Sequence, residues 1–158
     1  MATATFKNIS ASTKHCVEIS NALRFKSTNF AKKYLEGVIQ QERAVPFRRF
    51  YHNVGHKVGM SAGRFPVKAA AQFLMLLKSV EANAHVKGLN TTHLKIVKLI
   101  ANKASTPFTG GRMRTKTKRT HLDIAVAEIT ESKRTAKKED KKEQRQKKSI
   151  VEKKVNQP

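Results

Sequence analysis

The chain has 158 residues, with 33 Lys and Arg against 11 Asp and Glu, giving a formal net charge of +22. A chain this basic repels itself unless a polyanion neutralises it, which points to RNA or DNA ahead of an anionic membrane surface. One Cys and no Trp exclude a disulfide framework and a cysteine-built zinc site, and no apolar stretch is long enough to span a bilayer.

The N-terminus, Met1-Ala2-Thr3-Ala4-Thr5, lacks the charged segment and apolar run of a secretory signal, so a cytosolic or nuclear chain is expected. Phe6 to Ile9 reads as a short edge strand. Ser12 or Thr13 then caps a first helix, on which Cys16, Ile19 and Leu23 form one apolar stripe. Arg24-Phe25-Lys26 breaks the stripe. Ser27 or Thr28 caps a second helix, with Phe30, Ala31, Tyr34, Leu35 and Val38 on one face. From Ala44 to Pro66 the pattern becomes a structured basic loop. Gly55, Gly59, Gly63, Pro46 and Pro66 punctuate it, and Arg48, Arg49, His52, His56, Lys57 and Arg64 fill it. A loop of that length points to function.

Pro66 opens a third helix. Val67, Ala70, Leu74, Leu77, Glu81 and Ala84 follow its period, and Ala69, Ala71, Phe73 and Met75 widen the apolar surface almost all round. That helix is therefore expected at the centre of the core, ended by Gly88. Leu94 to Lys103 alternates, with Leu94, Ile96, Lys98 and Ile100 on one face and Lys95, Val97, Leu99 and Ala101 on the other. Leu122, Ile124 and Val126 alternate again, so the two segments read as strands of a hairpin. Between them, Gly110-Gly111, Arg112, Arg114, Lys116, Lys118 and Arg119 form an arm that cannot build a core and must be held by a partner. The expected division is a globular domain over 1–131, with its hairpin arm from about 94, and a lysine-rich tail over 132–158.

Cys16 lies on the apolar stripe and reads as a buried structural thiol rather than a nucleophile. His52 and His56 are four apart, but they sit in a glycine-containing loop without a nearby Glu or third ligand, so no metal site is assigned. The run Gly55, Gly59, Gly63 is not a nucleotide P-loop, because Lys57 is not followed by Ser or Thr at the required place. Either these glycines let the backbone approach a phosphodiester chain closely, or they make turns. No carboxylate pair is set for acid–base work, so neither catalysis nor a cofactor is expected. The few aromatics show no base-stacking arrangement. Phosphate-dominated recognition of folded RNA therefore fits better than sequence reading.

Val45-Pro46-Phe47-Arg48-Arg49, followed by Gly63-Arg64-Phe65-Pro66-Val67-Lys68-Ala69-Ala70, resembles the universal large-subunit ribosomal protein family called number twenty-two in bacteria and number seventeen in eukaryotes. Lys78-Ser79-Val80-Glu81-Ala82-Asn83-Ala84 and Lys87-Gly88-Leu89 are similar to that family's central helix and its exit. Asn102-Lys103-Ala104 and His121-Leu122-Asp123-Ile124 are similar to its hairpin strands. The resemblance covers about Ser12 to Glu131, and Pro46-Phe47-Arg48-Arg49 with the lysine-rich tail reads like the archaeal and eukaryotic branch. Phe25 stands where the family usually has Gly, and Phe65 where it usually has Trp. The segment from Ala104 to His121 is several residues shorter than usual.

The resemblance implies an α+β fold: three helices packed on a small antiparallel sheet, with a long extended β-hairpin and a basic C-terminal tail. It implies a non-catalytic structural constituent of the large ribosomal subunit near the exit of the nascent-peptide tunnel, with a hairpin that helps line that tunnel. The implied partners are large-subunit ribosomal RNA, neighbouring large-subunit proteins and the nascent peptide, and no membrane. The implied location is the cytoplasmic ribosome, with a nuclear or nucleolar stage during assembly if the source is eukaryotic. The expected RNA-binding residues are Arg48, Arg49, His52, His56, Lys57, Arg64, Lys68, Lys87, Arg112, Arg114, Lys116, Lys118 and Arg119. The expected tunnel-facing tip is Pro107, Phe108, Thr109, Gly110, Gly111 and Arg112. The rival readings are a free-standing basic RNA chaperone or regulatory RNA binder, and an enzyme acting on RNA.

Overall fold

In the computed structural model, which describes residues 1–108, 110–112 and 115–129, the chain begins with β1 (Ala2–Ile9), α1 (Thr13–Leu23) and α2 (Thr28–Ile39). It continues with the two-residue strands β2 (Val45–Pro46) and β3 (Gly63–Arg64), then α3 (Val67–Val86), a 3-10 turn (Thr91–His93), β4 (Leu94–Lys103) and β5 (Thr120–Glu128). Thr109, Met113, Arg114 and 130–158 lie outside the described residues, and with them the expected tail.

β5 is the middle strand of a three-stranded antiparallel sheet, between β1 and β4. Its buried Leu122, Ile124 and Val126 follow the expected alternation. The strand expected at Phe6 to Ile9 begins earlier, at Ala2. Ala2 and Ala4 are buried against Val126 and Ile124, while Thr3 and Thr5 are exposed.

The expected faces of β4 hold only at its start. Leu94 and Ile96 are buried, but the next buried residue is Leu99, not Lys98. The register against β5 shifts between Ile96 and Lys98, leaving Val97 as an extra residue. Such a bulge inverts the side-chain phase, so Lys98 turns to solvent and Leu99 enters the core.

The helices cover the sheet. α1 buries Cys16, Ile19 and Leu23, the expected stripe. α2 buries Ala31, Leu35 and Val38, but Phe30, expected on that face, is 44% exposed. Ser27 caps α2 by accepting a hydrogen bond from the Phe30 amide at 3.3 Å. α3 buries Ala69, Ala70, Phe73, Leu76, Leu77, Val80 and Ala84. Not all of its apolar surface is buried: Met75 is 55% exposed, and Glu81 pairs with Lys32 of α2. The alanines of α3 and of β1 present little side chain, which allows a close approach between them. Gly88 carries φ +69° just past the helix, the left-handed turn that ends it.

The connection between α1 and α2 is bound to β4. The Phe25 amide donates to the Ile96 carbonyl at 3.1 Å, and the Ile96 amide donates to the Lys26 carbonyl at 2.9 Å. These bonds hold Phe25 at φ +65°, a conformation that costs a residue with a β-carbon roughly 1–2 kcal/mol relative to Gly.

Candidate nucleic-acid interface

The basic loop is built outward from an apolar base. β2 pairs with β3, Val45 opposite Arg64 and Pro46 opposite Gly63. The Phe47 amide donates to the Ala62 carbonyl at 2.9 Å, and Val45, Phe47 and Ala62 are buried. The Tyr34 hydroxyl donates to the Ala44 carbonyl at 3.1 Å and fixes the loop's entry to α2. Burial pushes the Tyr34 phenol above its ordinary pKa, with Arg43 working the other way. Since Phe47 turns inward, Arg48 and Arg49 are left exposed beside it.

The residue that organises these arginines is Glu18, on α1 and 1% exposed. Its Oε2 accepts from the Arg48 amide at 3.2 Å, and its Oε1 accepts from the Arg49 and Phe50 amides at 2.9 and 2.6 Å. Three successive backbone N–H groups thus converge on one buried carboxylate. The guanidinium groups are not its partners, so both arginines keep their charge available. Sequence reasoning missed Glu18 because a backbone N–H thirty residues away leaves no signature of residue type.

Aromatic rings space the surrounding cations. Lys14 Nζ lies 4.8 Å from the Tyr51 ring centre and 5.7 Å from that of Phe50. Arg64 lies 5.3 Å from Tyr51, Arg49 5.4 Å from Phe50 and Lys57 5.4 Å from Phe65. Cation–π contact holds each charge in place without neutralising it. His15 packs edge-on against Phe47 and Tyr51, at 5.5 and 6.2 Å between ring centres. Burial, then Arg64 and Lys118, lower its pKa from the ordinary 6.5.

Two of the three loop glycines serve a turn and a packing contact. Lys57 and Met60 exchange backbone hydrogen bonds around Val58-Gly59, where Gly59 has φ +76°. A β-carbon at Gly63 would lie 2.7 Å from the Met60 sulfur, so Gly63 admits that side chain rather than a phosphate. His52 and His56 are exposed. Among the described residues, no group of three His, Cys, Asp or Glu side chains could hold a metal ion. Cys16 is fully buried, and burial pushes its pKa to about 12, the property of an inert thiol.

The other expected residues are dispersed. Lys68 Nζ donates to Ser10 Oγ at 3.2 Å, and Lys87 Nζ to the Met1 carbonyl at 3.3 Å. In the hairpin arm, the Ala104 amide donates to the Arg119 carbonyl at 3.0 Å, and Arg119 itself donates to the Asn8 carbonyl at 3.1 Å. Thr117 donates to the Pro107 carbonyl through both amide and hydroxyl, each at 3.0 Å. Phe108 bridges Lys116, whose Nζ lies 5.0 Å from the Phe108 ring centre. Pairing therefore continues beyond β4 and β5 as far as Phe108. Gly110, Gly111, Arg112 and Lys118 are exposed; Thr109 and Arg114, both expected site residues, lie outside the described residues.

Comparison with known proteins brings these features together. The family model described as ribosomal protein L22p/L17e matches residues 4–127. The large ribosomal subunit protein uL22 of Ignicoccus hospitalis is 42% identical over 130 residues, covering 75% of this chain and 82% of that protein. The uL22 proteins of Methanoculleus marisnigri and Methanoregula boonei are 39% and 38% identical over 138 and 131 residues. They cover 82% and 77% of this chain, and 90% and 85% of those proteins.

Proposed function

Since the chain belongs to the ribosomal protein L22p/L17e family, we propose that it is a structural, RNA-binding constituent of the large ribosomal subunit, non-catalytic and located with the ribosome. The observation that carries this reading is the basic loop. Glu18 gathers the backbone of Arg48, Arg49 and Phe50, while Lys14, Arg49, Lys57 and Arg64 stand on aromatic rings with their charges unpaired. That is a preorganised surface for crowded phosphates: the cations are fixed before the RNA arrives, so less side-chain entropy is lost on binding.

The proposed contacts are Arg48, Arg49, Lys57 and Arg64 on the loop, with His52 and His56 at its edge. Lys68, Lys87, Lys116, Lys118 and Arg119 add contacts outside it, and Arg112 and Arg114 extend them along the arm. The arm carries exposed cations on a paired stem, a form suited to passing between RNA helices. Its tip, Pro107 to Arg112, is proposed to face the peptide tunnel and the nascent chain. The archaeal identity of the relatives supports the archaeal and eukaryotic branch; a nucleolar stage applies only to a eukaryotic source.

The experiment is a density map of large subunits from cells that make this chain, with sedimentation to measure occupancy. One copy per subunit, with the basic loop against RNA and the arm in the tunnel wall, is the expected result. Transient, substoichiometric association would favour the free-standing chaperone. A stoichiometric chain whose arm lies away from the tunnel would remove the tunnel role alone.

A further inference from the structure

Beside the basic loop, a groove of about 780 Å³ runs between the connection of α1 to α2 and the segment from Glu42 to Arg48. Arg24, Lys26, Arg43 and Arg48 supply four cations, and Phe30 and Tyr34 supply two aromatic rings, stacked at 6.0 Å and 18°. Two carboxylates also line it: Glu18, whose oxygens are occupied by the loop amides, and the exposed Glu42. Lys26 Nζ lies 6.0 Å from the Phe30 ring centre, so a charge and a π-face are offered together.

Two exposed aromatics need an explanation here. Phe30 is a large aromatic on α2, yet it is 44% exposed. Phe25, next in sequence to the groove residues Arg24 and Lys26 but outside the lining itself, is 62% exposed. Its backbone is held at φ +65° by its bonds to β4, a position where Gly would be unstrained. In the free protein the Phe25 ring returns little burial for that strain. A partner that covers the ring would.

We propose that this groove receives one unpaired nucleotide of the ribosomal RNA, its base stacked on Phe30 and reaching past the rim to the exposed Phe25, and its phosphates on Lys26, Arg43 and Arg48. The inference rests on the RNA-binding reading above and adds a stacking site to a surface otherwise built for phosphates. A nucleotide supplies both the flat apolar face and the anion that this lining requires. An apolar protein segment would cover the rings but desolvate Lys26, Arg43 and Arg48 with only the Glu42 carboxylate in the same lining to offset them, while Arg24 already donates to the Leu99 carbonyl. Stacking tolerates any base, so the groove selects an unpaired nucleotide by shape rather than by sequence.

The first test is ultraviolet cross-linking of intact large subunits, followed by mass spectrometry of this chain's peptides. Nucleotide adducts at Phe25, Phe30 or Tyr34 are expected. Adducts on the basic loop or arm, with none between residues 24 and 34, would overturn the groove and leave the RNA reading standing. No adduct anywhere on the chain would count against both.

The second test compares full-length Phe25→Gly and Phe30→Ala with the parent chain, binding large-subunit ribosomal RNA. Loss of one stacked base lowers affinity roughly 5- to 140-fold. Phe25→Gly should do so while melting no lower than the parent, since it relieves the left-handed strain; a purely structural role cannot give that pair of results. Undiminished RNA affinity in both variants would overturn the proposal. So would a loss of subunit incorporation with RNA affinity intact, which would assign the rings to a neighbouring protein.

Discussion

Replacing Glu18 separates the loop's architecture from its charges. Its carboxylate accepts three backbone hydrogen bonds, at 3.2, 2.9 and 2.6 Å, in a fully buried position. Hydrogen bonds to a charged group contribute about 1.5–3 kcal/mol each, so their simple sum exceeds 4 kcal/mol. Arg48 and Arg49 are exposed, however, and a loosened loop lets their amides reach water, which offsets part of the loss. Glu18→Ala should therefore cost about 3–5 kcal/mol, the range for stranding one side of a buried charged contact. That is a large share of the roughly 5–15 kcal/mol that holds a domain together. Glu18→Gln is the more informative variant. Its oxygen can take the place of Oε1 before the Arg49 and Phe50 amides, but its NH₂ then faces the Arg48 amide, one donor against another. The expected cost is about 1.5–3 kcal/mol. Urea unfolding gives the stability, and amide exchange at residues 48–50 gives the site. Exchange at Arg48 should accelerate more than at Arg49 and Phe50, and RNA affinity should fall although no cation is removed. Unchanged stability in Glu18→Gln, or free exchange at these amides in the parent chain, would refute the reasoning.

The remaining predictions concern charge and reactivity. Replacing Arg48 and Arg49 with Ala should lower the log–log salt slope of RNA binding by about 1.4–1.8, if each neutralises one phosphate; filter binding across salt reads this, and an unchanged slope removes them from the contact set. Cys16, with its pKa pushed to about 12, should resist alkylation at pH 8 in the folded chain and react only on denaturation, and Cys16→Ala should cost about 1 kcal/mol without affecting RNA binding. His15 has a folded pKa below its ordinary 6.5, so its stabilising contribution is complete above about pH 6.5 and declines as pH falls towards the folded value. Phosphates that neutralise Arg64 and Lys118 would raise the His15 pKa, so RNA affinity should increase on acidification through the same window; His15→Gln should weaken both trends.

Much of the fold was legible because its signals are local. The stripe Cys16, Ile19, Leu23 and the alternation Leu122, Ile124, Val126 each report one buried face of one element. What could not be read depends on partners distant in sequence. The bulge at Val97 inverts the second half of β4 through its register with β5, and nothing in Leu94 to Lys103 announces it. The start of β1 was hidden because Ala2 and Ala4 carry little strand preference and are buried by pairing with β5. At the interface, the cations were visible by type and the arm by composition. The rings beneath Lys14, Lys57 and Arg64 and the carboxylate behind Arg48 and Arg49 arise only when α1, the loop and α3's entry come together. Phe25 was visible as a residue standing where Gly is usual, but its positive φ and its exposure come from the bonds to Ile96.

The few acidic side chains explain how so basic a chain folds before its charge is neutralised. Among the described residues only Lys32 and Glu81 form an ion pair, and Glu18 serves backbone amides rather than cations. The core that joins α1, α2, α3 and the sheet is apolar, so folding does not depend on charge pairing. Among the described residues the other cations are thus left without an ion pair in the free protein, several of them set on rings, and they repel one another. Salt must then act in opposite directions on the two states. Ions at about 0.15 M screen charges beyond about 8 Å, so added salt relieves the self-repulsion of the free chain and should raise its melting temperature. The same salt weakens the complex, because binding RNA releases counterions that must be displaced against a higher bulk concentration. A chain held together by surface ion pairs would lose stability along with RNA affinity as salt rises. Melting and RNA affinity measured on the full chain across one salt series distinguish the two, and a parallel fall would mean that ion pairing, not the apolar core, holds the free fold.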